Sequence, residues 1–305
     1  MAEMKLIADG LQFPEGPIAM PDGSILLVEI KRGTLTRIKP DGTKEIVAEP
    51  GGGPNGAAIG PDGACYICNN GGFEWHDRDG LLFPGDIASD YSGGRIERVD
   101  LATGKVETLY TECNGIPLKG PNDIVFDKSG GFWFTDLGKG RGRTQDRGGL
   151  YYAKPDGSLI KEVVFPITSP NGVGLSPDEK TVYVADTIPG RLWAFDIVAP
   201  GEVAPSAGPL PGRFVGSPAG LNFFDSLAVD SEGNVCVATI FNAGITSFSP
   251  DGSKIVHTPT DDLITTNICF GGKDLKTAYI TLSTTGRLVA MDWPVAGLAL
   301  NFLNK

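Results

Sequence analysis

The chain has 305 residues, 26 Lys and Arg against 37 Asp and Glu, and a formal net charge of -11. That balance argues against a nucleic-acid partner, whose affinity comes from clustered cations, and no run approaches the roughly 20 apolar residues of a membrane span. The 43 Gly and 23 Pro sit between apolar runs and not in a low-complexity tract, so they mark turns and not disorder.

In chain order, Met1-Ala2-Glu3-Met4-Lys5 lacks an apolar signal core, and the five cysteines form an odd, scattered set; both point to the cytoplasm. Lys5-Leu6-Ile7-Ala8 reads as a strand with no hairpin partner of its own. A polar anchor then recurs in Pro14-Glu15-Gly16, Pro54-Asn55-Gly56, Pro121-Asn122-Asp123, Pro170-Asn171-Gly172, Phe224-Asp225-Ser226 and Thr266-Asn267-Ile268. Seven residues after each anchor comes a turn position, at Asp22, Asp62, Ser129, Asp178, Glu232 and Asp274, flanked by short apolar or alternating runs. Each unit therefore opens with a β-hairpin. The anchor spacings of 40, 67, 49, 54 and 42 residues suit four-stranded units. A small sheet of that kind cannot bury both its faces alone, which predicts an all-β, six-bladed β-propeller over a single domain, residues 1–305. The orphan first strand is expected to complete the last blade and remove its open edge.

If each anchor begins an innermost strand at one rim, the second strand returns to that rim about 14 residues later, at Glu29, Asn69, Asp136, Asp186, Thr239 and Thr281, of which Asp136 is read as a substrate contact. Insertions that follow, Asn70 to Gly94 and Leu137 to Gly149, should border the mouth of the channel. The first contains Phe73-Glu74-Trp75-His76-Asp77-Arg78-Asp79, read as an ordered lid in which Phe73, Trp75 and His76 meet a small-molecule substrate. A third long connection, Val198 to Gly220, follows a third strand and should be a spacer at the far rim. Cys65 and Cys68 have CxxC spacing but fall in one strand, where an odd separation sends them to opposite faces; we read them as structural. His257 is also assigned a structural place.

The anchors put two carboxylates, Glu15 and Asp225, and four carboxamides, Asn55, Asn122, Asn171 and Asn267, around one axis. Facing carboxylates in a narrow channel need a proton or a cation between them. Oxygen donors without thiolate or imidazole describe a hard divalent cation, Ca2+ first, with Zn2+, Mn2+, Mg2+ or Fe2+ as alternatives. For a single anchor, Asn-Gly is an ordinary turn former and needs no ligand. The set is harder to explain that way, because Glu15 is a poor turn residue and Asp225 precedes Ser. Asn55 and Asn267 are the expected bystanders.

Phe13-Pro14-Glu15-Gly16-Pro17, Pro121-Asn122-Asp123, Asn171-Gly172-Val173-Gly174-Leu175-Ser176-Pro177-Asp178, Asp225-Ser226-Leu227-Ala228-Val229-Asp230 and Phe270-Gly271-Gly272 resemble, in order and over nearly the whole chain, the senescence marker protein/gluconolactonase family. That family includes regucalcin, sugar lactonases and diisopropylfluorophosphatase-like phosphotriesterases. The resemblance implies a propeller with a divalent cation in the channel, held by Glu15, Asn171 and Asp225, with Asn122 as a fourth ligand or a substrate contact. One departure stands out. Regucalcin-type lactonases carry Arg two residues before the third anchor, where this chain has Gly120; Lys119, or Arg141, Arg143 or Arg147 of the second insertion, would have to replace it.

The expected activity is metal-dependent opening of a lactone, with the cation polarising the carbonyl and Asp225 as general base. In phosphotriesterase-like relatives the residue matching Asp225 has been argued to be a nucleophile. The alternatives are a promiscuous esterase or phosphotriesterase, a metal-dependent lyase or isomerase, and a non-catalytic scaffold. The compact acidic axis speaks against the last.

Overall fold

Four antiparallel strands follow almost every anchor, and in the computed structural model they form six sheets around one axis. The structure describes residues 3–206 and 208–305. Met1 and Ala2, in the stretch read as lacking an apolar signal core, and Ala207, inside the expected spacer, lie outside the described residues. Among the described residues no helix is long and apolar enough to cross a membrane.

Blade 1 runs outward through Pro14–Ala19, Ile25–Glu29, Thr34–Ile38 and Lys44–Ala48. The innermost strands of the other blades are Pro54–Ile59, Pro121–Phe126, Pro170–Leu175, Phe223–Val229 and Thr265–Gly271. Outer strands such as Lys44–Ala48 and Ile255–Pro259 are largely exposed, whereas Pro14–Ala19 and Pro170–Leu175 are buried throughout. Lys5–Ala8 pairs antiparallel with Arg287–Asp292 and supplies the fourth strand of blade 6, which closes the ring as expected.

The period-2 alternation of each strand sends its two sets of side chains into the two neighbouring gaps between blades. Cys65 and Ile67 pack with Ile18, Leu26 and Val28 of blade 1, while Tyr66 and Cys68, from the same strand, pack with Phe126, Phe132 and Phe134 of blade 3. The two cysteines are thus on opposite faces. Equivalent clusters fill the remaining gaps, so the core is a ring of interblade layers.

Every innermost hairpin has an irregular register at its anchor, between Glu15 and Ile18, Pro54 and Ala57, Pro121 and Ile124, Pro170 and Val173, Phe224 and Leu227, and Thr265 and Asn267. A bulge re-aims the side chain beside it, which is how each anchor turns from the sheet to the axis. The glycine after the anchor has a steric reason. A Cβ on Gly16 would stand 2.6 Å from the Asn55 carbonyl oxygen, and one on Gly172 would stand 2.7 Å from the Leu227 nitrogen. These glycines let neighbouring innermost strands approach, which is a different role from the turn formation usual for Asn-Gly.

The Val198 to Gly220 connection is not a spacer throughout, because its Arg213–Gly216 pairs with Arg191–Ala199 as an outer strand of blade 4, with Gly216 opposite Leu192, and carries the chain back toward the anchor rim; only its first part, where Ile197 N donates to Lys180 O, lies at the far rim. The C-terminal segment crosses the same rim. Leu298 N donates to Val229 O, Asn301 Nδ2 donates to Phe126 O and Glu179 Oε1, Phe302 packs edge-on against Phe126, and Leu303 joins the gap between blades 1 and 2. This segment closes the far end of the channel. Between it and the anchors lies a cavity of about 100 Å³, bordered by Asp123, Asn267, Leu227, Phe270 and Leu298.

Candidate metal centre and its lid

The axial ring is almost closed to solvent: Glu15 is 2 % exposed, Asn171 4 %, Asn122 6 % and Asp225 8 %. Glu15 Oε2 accepts from its neighbour Gly16 N and from Asn267 Nδ2, both at 2.7 Å. Asn267, expected to be a bystander, therefore orients the first carboxylate. Burial pushes the Glu15 carboxyl well above the usual range, and the negative charge of Asp225 adds to the effect. Burial likewise pushes Asp225 up to about 7, with the Asn171 amide opposing the shift and the charge of Asp123 adding to it. Ser226 Oγ donates to Asn171 Oδ1 at 3.5 Å.

Asp123 is a third buried carboxylate that the sequence reading passed over, although it stands beside Asn122 in the quoted motif. Where blades 1, 2 and 4 place glycine after the anchor, blade 3 places this acid. Its oxygens accept from Ile124 N at 2.9 Å and across the gap from Val173 N at 3.2 Å. Burial pushes it up to about 7, against the pull of those amides. The signal was readable: it is the acidic exception at a glycine position.

These residues fit a hard cation. Asn122 Oδ1 is buried without a hydrogen-bond partner, a costly condition that a ligand would relieve. The charge of Asp225 raises the proton affinity of Glu15, as an uncompensated neighbour does. Among the described residues no cluster of three or more His, Cys, Asp and Glu forms a metal site by itself, so an ion here depends on the carboxamides. Oxygen-only donors of this kind suit Ca2+ better than Zn2+.

The +14 residues turn away from the axis. Asp136 accepts from Lys119 N, Gly120 N and Gly138 N at 2.7–2.9 Å, so its carboxylate, read in the sequence as a substrate contact, is engaged in fixing the connection into blade 3. Glu29, Asn69 and Asp186 hold Gln12 N, Gly53 N and Ser169 N in the same way. A Cβ on Gly120 would meet Gly138 O at 2.6 Å, so the second insertion leaves little room for a side chain at this position. Lys119 is half-buried, and its carbonyl accepts from Tyr91 Oη at 2.7 Å. Arg141 pairs with Asp146 at 3.1 Å, and Arg143 and Arg147 are exposed.

The first insertion is a hairpin of Phe73–Arg78 with Leu81–Ile87, joined by Asp79-Gly80 with both φ positive. That dipeptide is a strong hairpin signal, and it gives the expected ordered lid its strands. Phe73 and Trp75 face inward onto Phe13, Ile30, Ile240 and Ile264, with the Phe13 and Trp75 rings 5.1 Å apart. Leu82 N donates to Thr284 O at 3.0 Å. The hairpin thus leaves blade 2 and reaches blades 1, 5 and 6 across the mouth. His76 alternates to the outer side of its strand and is exposed. His257 is exposed on an outer strand, its Nδ1 3.0 Å from Thr246 Oγ1.

Lys139, which the sequence reading did not single out, is buried where the two insertions meet. Its Nζ donates to Gly72 O at 2.8 Å and to Asn70 Oδ1 at 3.1 Å, and lies 3.6 Å from the Phe73 ring centroid. Burial pulls its pKa down to about 7, with Asp136 opposing.

The profile described as "SMP-30/Gluconolactonase/LRE-like region" matches residues 13–284. The chain belongs to that family. It is 32% identical over 257 residues to lactonase drp35 of Staphylococcus haemolyticus, covering 83% of this chain and 70% of the relative. It is 27% identical over 315 residues to a gluconolactonase of Zymomonas mobilis, covering 92% and 79%. Among solved structures it is similar to the calcium-binding protein regucalcin of Agrobacterium tumefaciens, with TM-score 0.77, 19% identity and coverage of 97% and 95%. A gluconolactonase of Xanthomonas campestris aligns with TM-score 0.75, 22% identity and coverage of 96% and 90%. These two likenesses show the shared propeller fold.

Proposed function

We propose that this protein is a lactone hydrolase that works with one divalent cation, Ca2+ first, held by Glu15, Asn171 and Asp225, with Asn122 as a fourth ligand or a contact to the substrate. The observation that carries the reading is the buried Asn122 Oδ1, unpartnered among the described residues, in the same axial ring as Glu15, whose proton affinity the charge of Asp225 raises. The family, and relatives named lactonase drp35 and gluconolactonase, support the chemistry.

When bound, the cation supplies positive charge to a lactone carbonyl oxygen and to the oxyanion that follows. Asp225 takes a proton from the attacking water as the new carbon–oxygen bond forms. The ring carbon–oxygen bond then breaks, and the proton passes from Asp225 to the departing alkoxide, leaving a hydroxy acid. Glu15 is kept in place by Asn267 and Gly16 and carries charge rather than protons. Asn122 and Asn171 contribute oxygens without adding negative charge. The Phe73–Ile87 hairpin excludes water and meets the rest of the substrate through Phe73 and Trp75, with Lys119 at the same rim. The five cysteines are free and buried, which supports a reducing, cytoplasmic location.

The test is a titration of released acid with a panel of sugar-acid and simple lactones, using protein stripped by chelator and then reloaded. Loss on stripping and return with Ca2+ is the expected result. Full hydrolysis by stripped protein would sink the reading.

A further inference from the structure

A buried lysine normally survives because a carboxylate pairs with it. Lys139 is 2 % exposed, yet among the described residues no carboxylate oxygen lies within 4.0 Å of its Nζ. Nearby Asp136 has both its oxygens occupied by backbone amides. The ammonium is satisfied instead by the Gly72 carbonyl, the Asn70 side-chain oxygen and the face of Phe73, with the Tyr91 ring 5.7 Å away. An apolar side chain of similar length would be easier to bury, so stability alone does not account for this residue.

All its partners belong to the other insertion. Asn70, Gly72 and Phe73 are the stem from which the lid hairpin leaves blade 2. Lys139 itself sits on the loop seated over the approach to Asn122, where Leu137 N donates to Gly120 O at 2.9 Å. The hairpin is otherwise held by the packing of Phe73, Trp75, Leu82 and Phe83 on the cluster of Phe13, Ile30 and Ile264 and by Leu82 N donating to Thr284 O. A fixed point at Gly72, immediately before the first strand, sets the direction in which the hairpin crosses the mouth.

We propose that Lys139 is a positioning residue that joins the two mouth insertions into one cover and holds Phe73 in place over the channel, so that it governs substrate choice through the lid. The specificity part rests on the lactone-hydrolase reading; the placement of the lid does not.

The experiment is hydrogen exchange, followed by mass spectrometry, on Ca2+-loaded full-length protein without substrate. Lys139→Met should speed exchange in residues 73–87 at least tenfold and leave Pro121–Phe126 and Pro170–Leu175 unchanged. Phe73→Leu, which keeps the lysine, should give a smaller rise, and the double variant should match Lys139→Met alone, because the two residues act through one contact. In kinetics, KM for an aryl-substituted lactone should rise at least fivefold in Lys139→Met with kcat within twofold of wild type. Unchanged exchange over 73–87, a rise spread equally over all segments, additive effects in the double variant, or an unchanged KM would each overturn the proposal. If wild-type protein hydrolyses no lactone, the proposed activity fails, and the exchange results still decide the role of Lys139.

Discussion

Asn267 Nδ2 donates a 2.7 Å hydrogen bond to Glu15 Oε2, linking two residues 252 positions apart and joining the last blade to the first. The amide both orients the carboxylate and favours its ionised form. Groups that orient ligands in this way commonly change metal affinity 10- to 100-fold when removed. Asn267→Ala should weaken Ca2+ binding by about 10-fold in calorimetry while the propeller stays folded. Unchanged affinity would return Asn267 to the bystander role.

The acidic axis also makes a pH prediction for chelator-stripped protein. Asp225 and Asp123 hold their protons up to about 7 in the fold, and Glu15 is raised as well, whereas carboxyls in the unfolded chain lose theirs near 4. Between those values the folded state binds more protons, so stability falls as pH rises through that window. Stripped protein should melt several degrees higher at pH 5 than at pH 7.5. Ca2+ should raise the melting temperature at pH 7.5 and flatten the dependence; a profile that is flat without metal would contradict the charge arrangement.

Asp225→Asn keeps an oxygen for the cation but cannot accept a proton. We expect kcat to fall by about 10²- to 10⁴-fold, with Ca2+ still bound. Near wild-type turnover in the Ca2+-saturated variant would remove Asp225 from the proton path.

The two faces of the lid separate two substitutions. Trp75→Ala empties a position packed on Phe13 and should raise KM and reorder a lactone panel, while His76→Ala, on the outer side, should leave both unchanged. Neither should alter Ca2+ affinity. A large kinetic effect of His76→Ala would mean that the hairpin turns its other face to substrate during turnover.

Gly172→Ala tests the close approach of blades 4 and 5. Its Cβ would lie 2.7 Å from Leu227 N and 2.8 Å from Asp225 O, both backbone atoms with little freedom to yield. Overpacking of this kind costs about 1–3 kcal/mol. Chemical denaturation should show that loss, and Ca2+ affinity should fall with it because Asp225 is displaced.

The propeller was legible because its signals are local. A Pro-polar-Gly phrase and a turn seven residues later recur within one hairpin, and the return strands follow from counting. The same counting located both mouth insertions and the closing strand. What escaped notice depends on contacts between blades: Asn267 reaching Glu15, Asp123 reaching Val173, Lys139 reaching Gly72. No periodicity marks such pairs, and Asn-Gly looks the same whether it makes a turn or clears space for a neighbouring strand. The C-terminal closure of the channel was invisible for a similar reason, since Leu298 and Asn301 have partners in three other blades. The lid hairpin was different. Asp79-Gly80 marks its turn locally.

The pairing of Lys5–Ala8 with Arg287–Asp292 also sets a timetable for biosynthesis. The first of the described strands has the last of them as its partner. At about 5–20 residues per second, it waits on the order of 15–60 s for that partner to be synthesised. During this time blades 1 to 5 can form, but the ring is an open arc, Glu15 lacks Asn267, and the flank of blade 1 that later meets blade 6 is uncovered. Binding competence therefore arrives in one late step, and a ribosome that stalls before residue 265, where blade 6 begins, leaves an arc with an apolar flank, a substrate for chaperones.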